Sequence, residues 1–461
     1  MLACALVWVA GCGTSGGSAP ADGGDGAGDA ADVEADGLGL DVAGPDADAL
    51  QDLDAEVEPD LPGDVGPTDG DGELGGDDGE DGDAELVPGD LLEDRQGFHA
   101  VARVPLSPSG VSEPLPIAVD AGSGAAFLRV SARDAVARCF QLDEVLTGEG
   151  VSWISDASIS SDYGAVCHQC LQRASVGQGF GVFQLPNDGS GALGTSTLEV
   201  RVSERDCATS LPLSLAPDAA TPAETVDVEL REVEPRPAAG EPLVLPVRVV
   251  VSSASQFDAD AAEMDPVLSE AFELVRAAFA PQGIAVDFVA VVTASVAPAD
   301  PLVYGSDDVS ALRAALDAAL GPPSDSLDGL APLTVFVAGC LRRRDPTTGV
   351  LRDPQAVTTH VPAGLGPPGV GDGVVLAGHA CPLVPAGGYW GGATLGTILA
   401  HELGHALGLY HVAEASGFED NLPDTGPDNL MNADPLGHLN DGFSASQGHV
   451  MRSHPLLRPP P

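Results

Sequence analysis

The chain has no lysine; its 19 basic residues are all arginine, set against 70 aspartates and glutamates in 461 positions. The absence reads as codon bias and not as chemistry, but the resulting net charge of −51 disfavours nucleic acid as a partner, since phosphate would be repelled. Aromatic residues are also scarce, at 4% of the chain. They are missing from residues 13–95, where Asp, Glu, Gly, Ala and Pro dominate and where 27 acidic residues between Asp22 and Asp94 meet no arginine. A stretch of that composition cannot bury enough apolar surface to offset the entropy of ordering. It is expected to be a disordered, self-repelling acidic tether. Within it, Asp69–Glu73 and Asp77–Glu80 loosely resemble calcium loops but lack the spacing and terminal glutamate of an EF-hand, which leaves Ca2+ without support. Beyond the first twelve residues no apolar run has the length of a membrane-spanning helix.

Those first twelve residues are apolar but too short to span a bilayer, which suits the core of an export signal. Val9-Ala10-Gly11-Cys12 resembles a bacterial lipobox, in which cleavage precedes a cysteine that then carries lipid; no arginine stands ahead of it, a departure from the usual basic start. The expectation is export to the bacterial cell envelope, with attachment to the outer membrane or cell surface through Cys12 only. If Cys4 leaves with the signal and Cys12 carries lipid, six of the eight cysteines remain, and an even number in an exported chain makes disulfides the default. Cys139, Cys167, Cys170 and Cys207 precede residue 216, and Cys340 and Cys381 follow it. Pairing within each group predicts Cys340 with Cys381. Cys167-His168-Gln169-Cys170 could instead be a redox pair or half of a metal site.

Residues 97–215 alternate short apolar runs, such as Ala125–Val130, Gly179–Leu185 and Leu198–Val202, with Gly, Ser, Asn and Asp. Period-two alternation at that density predicts a β-sandwich-like accessory domain. Residues 216–240, rich in Pro, Ala and Glu, read as a linker. From residue 241 onward the rhythm changes. Leu243–Val251 is a continuous apolar run typical of a buried strand. Asp265-Pro266 supplies a cap and a first-turn proline for a helix with Leu268, Phe272, Val275 and Phe279 on one face, ended by Pro281 and Gly283. Ile284–Val292, Leu333–Ala338, Ala356–Val361 and Val374–Ala377 bring the strands to about five, and Leu312, Leu316 and Leu320 mark a second helix. The fold class expected for residues 241–461 is α+β, a twisted mixed sheet with helices.

The chemistry concentrates in eleven residues, His401-Glu402-Leu403-Gly404-His405-Ala406-Leu407-Gly408-Leu409-Tyr410-His411. On a helix beginning near Ala393, His401 and His405 leave the same face and can share one ion. Glu402, about a quarter-turn round, can reach a water on that ion. Gly408 lets the backbone leave the helix at positive φ so that His411 can swing back as a third ligand. Three nitrogens leave one position open, which separates a catalytic zinc from a structural one.

These residues match the long zinc signature of the metzincin metallopeptidases, which resemble one another also in a methionine turn under the metal. Met431, one of four methionines, stands where that turn belongs. The stretch from His411 through Asn421–Thr425, Asn429–Met431 and Phe443–Gln447 is similar to the lower part of pappalysin-like metzincins. The resemblance implies a zinc-dependent endopeptidase acting on protein or peptide substrates, with one Zn2+ held by His401, His405 and His411, Glu402 as general base, and Val374–Ala377 as the sheet edge that receives an extended peptide. Ala433 stands where some metzincins carry an extra tyrosine ligand. His438, His449 and His454 lack ligand spacing and read as surface or structural. The rival reading is a surface lipoprotein that binds through its β-rich part, with the zinc region inactive or structural; damage to the motif would favour it, and the motif is intact.

Overall fold

A computed structural model describes residues 10–11 and 96–460, apart from 133–137, 156–170, 208–210, 217–220, 237–241, 258–264, 295–299, 306–309, 321–330, 345–347, 368–369, 382–389, 414–419 and 437–441. Cys12, the expected tether, the calcium-like segments, Cys167, Cys170 and His438 lie outside the described residues.

In chain order the strands begin with β1 (Ala10–Gly11), β2 (His99–Pro105), β3 (Leu115–Ala118), β4 (Ala125–Ser131), β5 (Cys139–Thr147), β6 (Ser152–Ile154), β7 (Gly177–Gln178), β8 (Phe180–Leu185), β9 (Thr197–Arg205) and β10 (Thr225–Val233). There follow β11 (Leu243–Val251), α1 (Pro266–Phe279), β12 (Ile284–Thr293), β13 (Leu302–Gly305), α2 (Ser310–Leu320), β14 (Leu333–Ala338), β15 (Leu341–Arg344), β16 (Leu351–Arg352), β17 (Ala356–Thr358), β18 (Gly373–Ala377), α3 (Gly392–Ala406) and α4 (Ala445–Arg452). The class is α+β, with several sheets and few helices. No helix among the described residues is long and apolar enough to cross a membrane.

The β-rich part is two antiparallel sheets, β2-β10-β4-β8 and β3-β9-β5-β6, closed on a shared core that includes Leu128, Val130, Val228 and Leu230 from the first and Phe140, Leu142, Val200 and Val202 from the second. Cys139 is joined to Cys207 at the end of this layer. The expected linker is not one over its whole length. Residues 225–233 are β10, hydrogen-bonded to both β2 and β4, because the alternation of Val226, Val228 and Leu230 outweighs the flanking proline and glutamate. The first sheet also buries its second face. Phe127, Phe180, Val182 and Val233 enter the same core as Leu245, Phe279, Leu403 and Met431, so the β-rich part is packed onto the residues that follow it.

The central sheet has the order β1-β17-β18-β14-β11-β12. Strand β11 lies parallel to β12 and β14, β14 parallel to β18, and β17 antiparallel to β18. Alternate residues of β11 serve opposite faces: Val247, Val249 and Val251 meet α1 and α3, whereas Val250 meets Leu312 and Leu316 of α2. Coverage on both faces explains the unbroken apolar run. Helix α1 starts where Asp265 accepts from the Val267 and Leu268 amides, and Gly283 at φ 66° ends the turn that follows it. Cys340 and Cys381 are bonded as expected, across a separation of 41 residues.

One expectation is corrected. Val374–Ala377 is not the sheet edge, since β18 is enclosed between β14 and β17. Outside it lie the three residues of β17, and the sheet ends in β1, whose Ala10 and Gly11 pair with β17 antiparallel, opposite Thr358 and Val357. Chain order placed β18 next to α3, but β17 returns outside it, which periodicity does not reveal.

Candidate metal centre

Helix α3 carries His401 and His405 one turn apart, both buried, and ends in a Schellman arrangement. The Gly408 amide donates to the His405 carbonyl at 2.9 Å and the Leu409 amide to the Gly404 carbonyl at 3.0 Å, with Gly408 at φ +100°. A side chain at Gly408 is excluded twice, by that φ and because its Cβ would lie 2.1 Å from Gln184 Oε1. The turn brings His411 back beside the helix.

The three imidazoles converge. Their Nε2 atoms are separated by 3.0 Å for His401 and His405, 3.1 Å for His405 and His411, and 3.2 Å for His411 and His401. Nδ1 of His401 donates to the Leu430 carbonyl and Nδ1 of His405 to the Leu409 carbonyl, each at 2.7 Å. A neutral ring that donates through Nδ1 presents a bare lone pair at Nε2. Burial holds the His401 imidazole down at about 3, assisted by the neighbouring His411, and burial with its two histidine neighbours holds His405 well below the usual range, so both rings are neutral at ordinary pH. Lone pairs aimed at one another across 3 Å repel unless a cation lies among them. Nitrogens held tetrahedrally at ~2.0–2.1 Å from zinc stand about 3.3 Å apart, close to the triangle found here. Among the described residues these three form the one cluster of potential metal-binding side chains.

Glu402, next to His401 in the chain, is fully buried, and its Oε2 accepts from the Thr358 hydroxyl at 2.6 Å. The same hydroxyl lies 3.0 Å from the Glu402 carbonyl, fastening α3 to β17. Met431 is fully buried beneath the helix, where a Cβ on Gly404 would come within 2.5 Å of its sulfur. Its amide donates to Asn429 Oδ1 at 2.8 Å and its carbonyl accepts from Val412 at 2.9 Å, so one turn holds the methionine, the segment after His411 and, through Leu430, the His401 ring.

His401, His405 and His411 are therefore brought to one place, and Met431 packs beneath the helix that carries the first two. His449 and His454 do not join them; His454 is buried against Phe127, with its Nδ1 accepting from the Leu456 amide. Thr358 and Asn187 were missed, the latter donating to the Gly408 carbonyl at 2.9 Å. They stand 44 and 221 residues from their partners, and neither belongs to a local pattern.

No family model and no curated protein matches this chain. Among solved structures it is similar, at 12% identity and a TM-score of 0.23, to one described as a chaperone-substrate complex, over 47% of this chain and 35% of that one. It is also similar, at 12% identity and a TM-score of 0.12, to a family two carbohydrate esterase from Cellvibrio japonicus, over 54% of this chain and 62% of that one. The chain thus spans less than two thirds of either, and likenesses so slight carry no argument about fold or function.

Proposed function

We propose that this chain is a zinc-dependent endopeptidase of the metzincin type, with pappalysin-like proteins as the nearest subgroup, exported as a lipoprotein anchored through Cys12. The observation that carries the reading is the convergence of the three Nε2 atoms, with a fully buried glutamate, Glu402, following the first of these histidines in the chain. His401, His405 and His411 would hold the ion, and the lack of a fourth protein ligand among the described residues favours an open, catalytic position over a structural site. Zinc, when bound, lowers the pKa of a water and polarises a carbonyl.

The rest belongs to the chain. Glu402 takes the proton of the attacking water and passes it to the leaving amine. Thr358 holds that carboxylate in place through Oε2. The Leu430 and Leu409 carbonyls fix the ring tautomers. Ala10 and Gly11, which precede Cys12 and would leave with the signal, pair antiparallel with β17, the strand that also carries Thr358, and an extended substrate would add to β17 in their place.

The test is to incubate the purified chain with a mixed peptide library, with and without a zinc chelator, and read cleavage by mass spectrometry. Glu402→Ala should keep the metal and lose nearly all turnover. Undiminished cleavage by that variant would refute the assignment.

A further inference from the structure

Among the described residues the β-rich part shows no cluster of potential metal-binding side chains of its own, yet it reaches the three histidines. Strand β8 and the residues after it run past the end of α3. Gln184, buried, donates through Nε2 to the Val450 carbonyl at 2.8 Å and puts its Oε1 in the space a side chain at Gly408 would fill. Three residues on, Asn187 is buried, its amide nitrogen donates to Gln172 Oε1, and its Nδ2 donates to the Gly408 carbonyl at 2.9 Å. Gly408 is the pivot of the helix-ending turn. The next carbonyl, Leu409, orients His405, and the second residue after that is a ligand itself. A rotation of the Gly408 peptide would move the acceptor of one ligand and the backbone of another.

We propose that Asn187 is a positioning residue of the metal centre, holding the Gly408 peptide so that His405 and His411 meet His401. The β-rich part is on this view a structural component of the site and not an appended binding module. The inference rests on metal binding by the three histidines as argued above.

Cobalt titration of the full-length chain tests it, because tetrahedral Co2+ reports ligand geometry by its visible absorption without turnover. Wild type should bind one Co2+, and His405→Ala should abolish the signal; failure at this step would sink the metal reading itself, independently of Asn187. Asn187→Ala should weaken binding by about 10- to 100-fold, the usual effect of removing a group that orients a ligand, and shift the absorption bands. Asn187→Asp, equal in shape but without the donor, should do no better. Arg236→Ala is the control for mere loosening, since Arg236 donates to the Arg452 and His454 carbonyls away from the turn. It should lower the unfolding midpoint and leave cobalt affinity unchanged. Wild-type binding by Asn187→Ala, or an equal loss in Arg236→Ala, would overturn the proposal.

Discussion

Replacing Gly404 by alanine tests the packing under the three-histidine cluster. In an exposed helix the change would raise stability by ~0.8–1.0 kcal/mol, because alanine has the better helix propensity. Here the added Cβ would lie 2.5 Å from the Met431 sulfur, 3.1 Å from Phe443 Cε1 and 3.3 Å from Met431 Cε. Met431 has no easy retreat, being fully buried and held through its own amide and carbonyl. Overpacking a filled core costs about 1–3 kcal/mol, so the propensity gain is cancelled or exceeded and the net result is a loss of roughly 0–2 kcal/mol. The displaced turn also carries the Leu430 carbonyl that orients His401, so metal affinity should fall about 10-fold. Urea unfolding and a zinc competition titration measure the two effects. Combining Gly404→Ala with Met431→Ala should show a coupling above ~0.5 kcal/mol, since the second change removes the clashing atoms. A stability gain near 1 kcal/mol in the single variant, with unchanged zinc affinity, would show that the methionine does not pack as described.

Three further outcomes are expected. Thr358→Val should reduce kcat about 10-fold with little change in KM, and Thr358→Ser should restore it; a wild-type kcat in the valine variant would deny the hydroxyl a role in holding Glu402. Opening the Cys340–Cys381 bridge with paired serines frees a loop of 41 residues and should cost up to about 4 kcal/mol by the loop-entropy relation, read as a lowered urea midpoint. His454 is held at about 3 by burial and by the charges of Arg231 and Arg236, below its ordinary value, so the unfolded chain binds a proton that the folded chain refuses. Stability is then full above pH ~6.5 and declines as the pH falls toward 3, by as much as roughly 4–5 kcal/mol from this residue. His454→Asn can still accept from the Leu456 amide and should flatten that acid limb; an unchanged slope in unfolding measured from pH 7 to 4 would exclude the residue as a source.

The cluster of three histidines was legible because it is local. His401, Glu402, His405, Gly408 and His411 lie within eleven residues, and helix geometry together with one positive-φ glycine dictates where their side chains go. Helix α1 was legible for the same reason, its cap and apolar stripe being adjacent in the chain. The alternation in residues 97–215 and the run Leu243–Val251 likewise declared strands.

What the chain order could not convey was which strands become neighbours. The supposed linker became the middle of a sheet because β10 finds β2 and β4 from 124 and 100 residues away, as the Arg103–Asp227 and Arg129–Glu229 pairs across those strands record. Strand β18 proved to be interior, with β17, which carries the residue that holds Glu402, on its outer side. Contact between β8 and the turn at Gly408 likewise arises only when the first sheet buries its second face. Local propensity and spacing act over a few residues, whereas strand order, the position of β17 and the support given by Asn187 come from burying surfaces that the chain brings together only on folding.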